Sequence, residues 1–192
     1  VWISGFFGSG KSHFLKILSY LLNNQPVHGK NPVDFFKEKV NDPMVYALME
    51  KAASVETDTI LFNIDAKSNT SYTSRDAILR VFKKVFDEHR GYYGDNTAIS
   101  RMEKFLDDEG NFEAFKEKYA ELAQEPWVGN QSNFYFRGEE IIQSLAHASN
   151  MTIDGARNWY ERVDQAYDLT IESFAEEVKE FVKYTENKME EL

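Results

Sequence analysis

The chain has 192 residues, 22 Lys and Arg against 32 Asp and Glu, a net charge of −10 and no cysteine. With 42% hydrophobic and 15% aromatic residues it is no disordered acidic tail, and without thiolates it holds neither a disulfide nor a cysteine metal site. No apolar run reaches the roughly 18–20 residues of a membrane span, which points to a soluble protein with no membrane partner, and the acidic balance disfavours direct contact with DNA.

Residues 1–4 (Val-Trp-Ile-Ser) read as the interior of a buried strand. A glycine-rich turn over 5–10 follows, then a helix over 11–22 whose Phe14, Leu15, Leu18, Leu21 and Leu22 share one apolar face. Residues 23–26 (Asn-Asn-Gln-Pro) end that helix, since Asn tolerates the left-handed cap and Pro cannot continue it. Asn31-Pro32 and Asp42-Pro43 each set a capping residue before proline, predicting two short helices. Residues 59–64 (Thr-Ile-Leu-Phe-Asn-Ile) are apolar on both faces and predict a central strand of a parallel sheet, with Asp65 at its carboxyl end.

A polar loop over 67–74 leads to a helix over 75–89, with Ile78, Leu79, Phe82, Val85 and Phe86 inward. From Asp95 the strand signal fades. Asn96, Asn111, Asn133, Thr152 and Thr170 are each suited to cap a helix, and Gly110 marks a helix end. So long a helical stretch exceeds the usual crossover between parallel strands and reads as an insertion. The expected fold is α/β: a partial parallel sheet flanked by helices over residues 1–94, with a large all-helical insertion over 95–192. Val1 enters mid-strand and the last residues form a polar helical run, so both ends read as cuts in a larger protein.

Gly5-Phe6-Phe7-Gly8-Ser9-Gly10-Lys11-Ser12 matches the phosphate-binding pattern G-x-x-x-x-G-K-S/T at every fixed position. Gly5 and Gly10 admit backbone conformations barred to other residues. The amides of Gly8, Ser9, Gly10, Lys11, Ser12 and His13 are then expected to form a nest for phosphate oxygens, reinforced by the helix dipole. In this pattern Lys11 reaches the β- and γ-phosphates of ATP and the Ser12 hydroxyl ligates Mg²⁺. Phe6 and Phe7 are large for such a loop; they are expected to pack on neighbouring helices or to meet the base or a partner subunit.

Hydrolysis needs a second element, an apolar strand ending in Asp, often followed by Glu. The internal candidate, residues 60–65, fits poorly, because Asn63 interrupts the apolar run and Ala66 stands in the Glu position. Asp65 is thus a weak candidate for the catalytic, Mg²⁺-side acid, and no other catalytic residue is identified. Lys67 and Arg75 either sense phosphate or are simply solvated. The four histidines are scattered, with no zinc-site spacing.

The run Val1-Trp-Ile-Ser-Gly-Phe-Phe-Gly-Ser-Gly-Lys-Ser-His-Phe-Leu-Lys-Ile-Leu-Ser-Tyr-Leu-Leu22, and to a lesser degree Ile60-Leu-Phe-Asn-Ile-Asp65-Ala-Lys67, closely resembles the large ATPase of bacterial BREX phage-exclusion systems (the BrxC/PglY family). The resemblance implies a large cytoplasmic ATPase with an AAA+-like P-loop module, working in antiviral defence with other proteins of the system and able to form a homo-oligomer. It also implies that the acidic strand follows the helical insertion, beyond Leu192. Only the P-loop residues carry over to numbered positions. The chain alone is then expected to bind nucleotide weakly and to hydrolyse it slowly or not at all. Two other readings stand beside it: a P-loop small-molecule kinase whose insertion is a lid, with Asp65 as base, and a non-hydrolysing nucleotide-binding scaffold.

Overall fold

A computed structural model describes residues 3–64, 75–163 and 169–190. Its contacts divide the chain into two compact units, Val1–Asn63 and Ile64–Leu192. The charge divides with them. Residues 1–63 carry six basic and six acidic residues and 64–192 carry sixteen and twenty-six, so the whole net charge of −10 belongs to the second unit.

In the first unit, helix α1 (Lys11–Asn23) is followed by a 3-10 turn (Pro32–Phe36) and helix α2 (Pro43–Ala53), and the three touch one another. Proline at the first helical position starts both of the latter. Asp42 caps α2, its carboxylate accepting from the amides of Met44 and Val45. Asn31 and Asp34 form a capping box on the 3-10 turn. Little is buried: Val33 and Ala53 are, whereas no residue of α1 is.

The expected parallel sheet is not there. Among the described residues there is no strand, and the one β pairing is an isolated antiparallel bridge between Val27 and Lys30. Residues 3–6 and 55–63 have no regular structure, and Ile60 and Leu61 are exposed. The physical reason is partnership. An apolar run becomes a strand only when neighbouring strands take up its amides and carbonyls, and neither run finds one. The α/β fold is corrected to a helical one; Val1, Trp2 and Asp65 lie outside the described residues.

The second unit holds six helices among its described residues: α3 (Arg75–His89), α4 (Thr97–Asp108), α5 (Phe112–Ala123), α6 (Gly138–Ala148), α7 (Ile153–Arg162) and α8 (Ile171–Glu190). Its core is built by α4 to α7, from Ile99, Met102 and Leu106 through Phe115 and Tyr119 to Ile141, Leu145 and Ala156. Trp127 sits edge-on to both Phe115 and Tyr119, with ring centroids 5.1 Å away. Helix α8 packs on α3 through Phe86, which meets Phe174 and Phe181 edge-on at 5.6 and 5.5 Å. The inward face of α3 is the expected one at Val85 and Phe86 and departs from it elsewhere: Ala77, Val81, Lys83 and Asp87 are buried as well, while Ile78 and Phe82 are exposed.

Several expected helix ends are present in detail. Asn96 caps α4 by accepting from the amides of Ala98 and Ile99 at 2.8 and 3.3 Å. Thr152 accepts from Gly155 N, and Thr170 and Ser173 exchange bonds at the start of α8. Gly110, at φ 69°, ends α4 in the left-handed region, where Asn111 N–H reaches back to the Leu106 carbonyl. The start expected after Asn133 falls instead at Gly138, because Gln131–Asn133 forms a 3-10 turn first. Asn96→Ala is expected to cost about 1 kcal/mol, seen as a lower urea midpoint with unchanged slope; no shift would mean the cap is idle.

Candidate functional site

The phosphate-binding pattern occupies the turn into α1. Ser9 N–H donates to the Phe6 carbonyl at 3.2 Å, closing a turn in which Gly8 has φ 78°. Gly10 follows at φ 84°, ψ 12° as the residue preceding the helix. That left-handed conformation costs a side-chain-bearing residue about 1–2 kcal/mol, which is the physical content of the second fixed glycine. Gly5 is fixed for a different reason: a Cβ there would lie 2.7 Å from Ser9 Oγ. A side chain at Gly5 would therefore turn the Ser9 hydroxyl out of its place beside Lys11 Nζ.

Helix α1 starts with its amides uncovered. No side chain caps it and no acidic residue sits in its first turn. The N-terminal amides of an α-helix have no internal partner, so Lys11, Ser12 and His13 present N–H groups at the positive end of the helix dipole. Phe14 N–H, one residue on, is already bonded to the Gly10 carbonyl at 2.9 Å. Of the expected donors, Ser9 alone is seen spending its amide within the loop.

Lys11 folds back over the same loop. Its Nζ donates to the carbonyls of Gly5 and Phe6 at 2.7 Å each and to Ser9 Oγ at 3.3 Å. The ammonium is thus held on the loop that leads into the helix, through exposed bonds. Phe6 and Phe7 stand 92% and 107% exposed, so the packing on neighbouring helices expected of them is not seen among the described residues.

The residues present fit phosphate: glycines at the two left-handed positions, uncapped helix-start amides, one lysine and a serine hydroxyl at the second helical position. They do not by themselves make a hydrolytic centre. Asp65 and Lys67 lie outside the described residues, as does the loop around them, and the Arg75 side chain is not described. Among the described residues no group of three or more His, Asp or Glu is arranged to hold a metal ion, so the Ser12 hydroxyl is the one expected magnesium ligand that can be placed.

The polar cluster between α3 and α8 is a feature the sequence reading missed. Lys83 Nζ meets both Asp87 oxygens at 2.6 and 2.7 Å and Glu177 at 3.1 Å, and Arg90 bonds to Asp87 as well. Lys83, Asp87 and Arg90 side chains are 3%, 1% and 5% exposed. The i,i+4 spacing of Lys83 and Asp87 was visible, but charge pairs at that spacing usually lie on solvated faces.

No helix among the described residues is long and apolar enough to cross a membrane. No protein-family model matches the chain, and no solved structure matches it.

Proposed function

We propose that the loop from Gly5 to Ser12 binds the phosphates of ATP with Mg²⁺, and that the chain is the nucleotide-binding portion of a large ATPase of a bacterial phage-exclusion system. The observation that carries the first part is an uncapped helix start, with the Lys11, Ser12 and His13 amides at its head, following a loop on which the Lys11 ammonium is held 2.7 Å from two carbonyls. Backbone donors at a helix N-terminus and a nearby cation are the elements of a phosphate site. Bound Mg²⁺ would neutralise phosphate charge, with Ser12 as its protein ligand. The resemblance of residues 1–22 supports the second part, which includes work in the cytoplasm with other defence-system proteins and homo-oligomer formation by the whole protein.

Titration with a fluorescent ATP analogue tests the first part. The wild type is expected to bind in the presence of Mg²⁺, and Lys11→Ala to bind roughly 10-fold to 100-fold more weakly, the worth of a hydrogen bond to a charged group. Ser12→Ala is expected to lose most of the difference between Mg²⁺ and EDTA. Equal affinities for wild type and Lys11→Ala, or no binding by either, would instead leave a scaffold without a nucleotide.

A further inference from the structure

A lysine ammonium has three N–H donors and no acceptor, and at Lys11 all three are spent. Nζ donates to the Gly5 and Phe6 carbonyls at 2.7 Å each and to Ser9 Oγ at 3.3 Å. These acceptors are neutral. Lys83, Lys84 and Lys104 are instead answered by carboxylates. The Lys11 ammonium is thus complete in hydrogen bonds, while no carboxylate among the described residues meets its charge. A phosphate oxygen that accepts from Nζ takes the place of one of the three.

The three bonds are unequal. Gly5 and Phe6 offer backbone carbonyls, and the Phe6 carbonyl also closes the turn by accepting from Ser9 N–H at 3.2 Å. The bond to Ser9 Oγ is the longest, beyond the roughly 2.7–3.2 Å of ordinary N–H···O bonds. Its acceptor alone is a side chain. A hydroxyl turns away by rotation about a single bond, whereas moving either carbonyl means opening the loop. Room for that hydroxyl depends in turn on residue 5, where a Cβ would come within 2.7 Å of it.

Resting on the proposal that this loop takes phosphates, we infer that the Ser9 hydroxyl is a latch on Lys11. It holds the third N–H, and a phosphate oxygen of the nucleotide displaces it while the two carbonyls keep their hold. Ser9 is then a positioning residue that acts on the ligand through Lys11. It lowers affinity, because each binding event gives up the bond between Lys11 and Ser9. Without the hydroxyl, water takes that N–H. The difference between the two corresponds to roughly 2-fold to 10-fold in affinity, and a long bond falls at the lower end.

Titration of the whole chain with a fluorescent ATP analogue in Mg²⁺ tests the latch. Ser9→Ala is expected to bind about threefold more tightly than the wild type. Ser9→Thr keeps a hydroxyl and is expected to match the wild type within about 1.5-fold. In the Lys11→Ala background, Ser9→Ala is expected to change affinity less than about 1.5-fold, since no ammonium is left to hold. Circular dichroism checks that each variant keeps its helices. If Lys11→Ala weakens binding but Ser9→Ala binds no more tightly than the wild type, the latch is overturned and the phosphate site stands. The same gain from Ser9→Ala with and without Lys11 would also overturn it, because the hydroxyl would then act by another route. Equal affinities for wild type and Lys11→Ala, or no binding by either, would overturn the phosphate site itself and the latch with it.

Discussion

Replacing Asp87 with alanine is expected to destabilise the second unit by about 3–5 kcal/mol, because it removes one partner from a buried charge cluster and strands the others. Lys83 would lose its closest carboxylate, with Glu177 3.1 Å away and itself partly exposed, and Arg90 would lose its closer carboxylate too. Both cations lie between α3 and α8, next to the Phe86, Phe174 and Phe181 contacts that join those helices. The expected result is a large drop in urea midpoint by circular dichroism, with α8 the first element to lose amide protection. The companion experiment separates charge from packing. Lys83→Met combined with Asp87→Leu removes a buried pair together and is expected to cost far less than Asp87→Ala alone, since desolvation is relieved on both sides. If the single and double variants were equally damaged, the cluster would matter as shape rather than charge.

The outcome for α3 explains how far sequence could reach. Local chemistry was readable where one residue acts on its own neighbours. Asp42, Asn96, Thr152 and Thr170 cap helices because an oxygen two or three residues from an orphan amide needs no tertiary help. Gly110 ends α4 for an equally local reason. The backbone of the loop is equally local: Gly8 and Gly10 take left-handed φ and Lys11 bonds to the carbonyls of Gly5 and Phe6. What failed was everything decided at a distance. The apolar runs around Ile3 and Ile60–Ile64 read as strands, but strands are made by their partners, and these have none among the described residues.

Helix α3 failed more subtly. Ile78 and Phe82 fit the apolar stripe by spacing, yet they stay exposed while Lys83 and Asp87 go inside. Periodicity records where apolar residues are, and it assumes that charges point outward. Here Arg90 and Glu177, the latter eighty-seven residues along the chain from Arg90, convert a pair that would be worth little on the surface into a buried network.

Glu103 gives the second large effect and a test with a defined sign. Its carboxylate, on α4 and 1% exposed, accepts from Trp127 Nε1 at 2.7 Å and from Tyr93 N at 2.5 Å. Leucine at this position would leave those two donors, and the Gln131 side chain that also bonds to Glu103, without this acceptor, at about 1–3 kcal/mol each. Glutamine keeps one acceptor but turns an NH₂ toward the other donor, so its loss is expected to be about half as large. Burial pushes the Glu103 pKa up, outweighing the downward pull of its bonds to Tyr93, Trp127 and Gln131, while the nearby Asp87 charge adds to the rise. The folded chain therefore holds this proton more tightly than the unfolded chain, whose glutamates titrate near about 4.3. The stability tied to that proton is fully present below the unfolded value and is lost as pH rises through the folded one. Glu103→Gln has no such proton. The stability gap between wild type and Glu103→Gln is accordingly expected to widen on acidification from neutral pH and to level off below about 4.3. Urea midpoints of both chains across that range measure it, and groups common to both cancel in the difference. A gap that narrowed on acidification would mean that the hydrogen bonds from Trp127 and Tyr93 outweigh burial and hold Glu103 ionised.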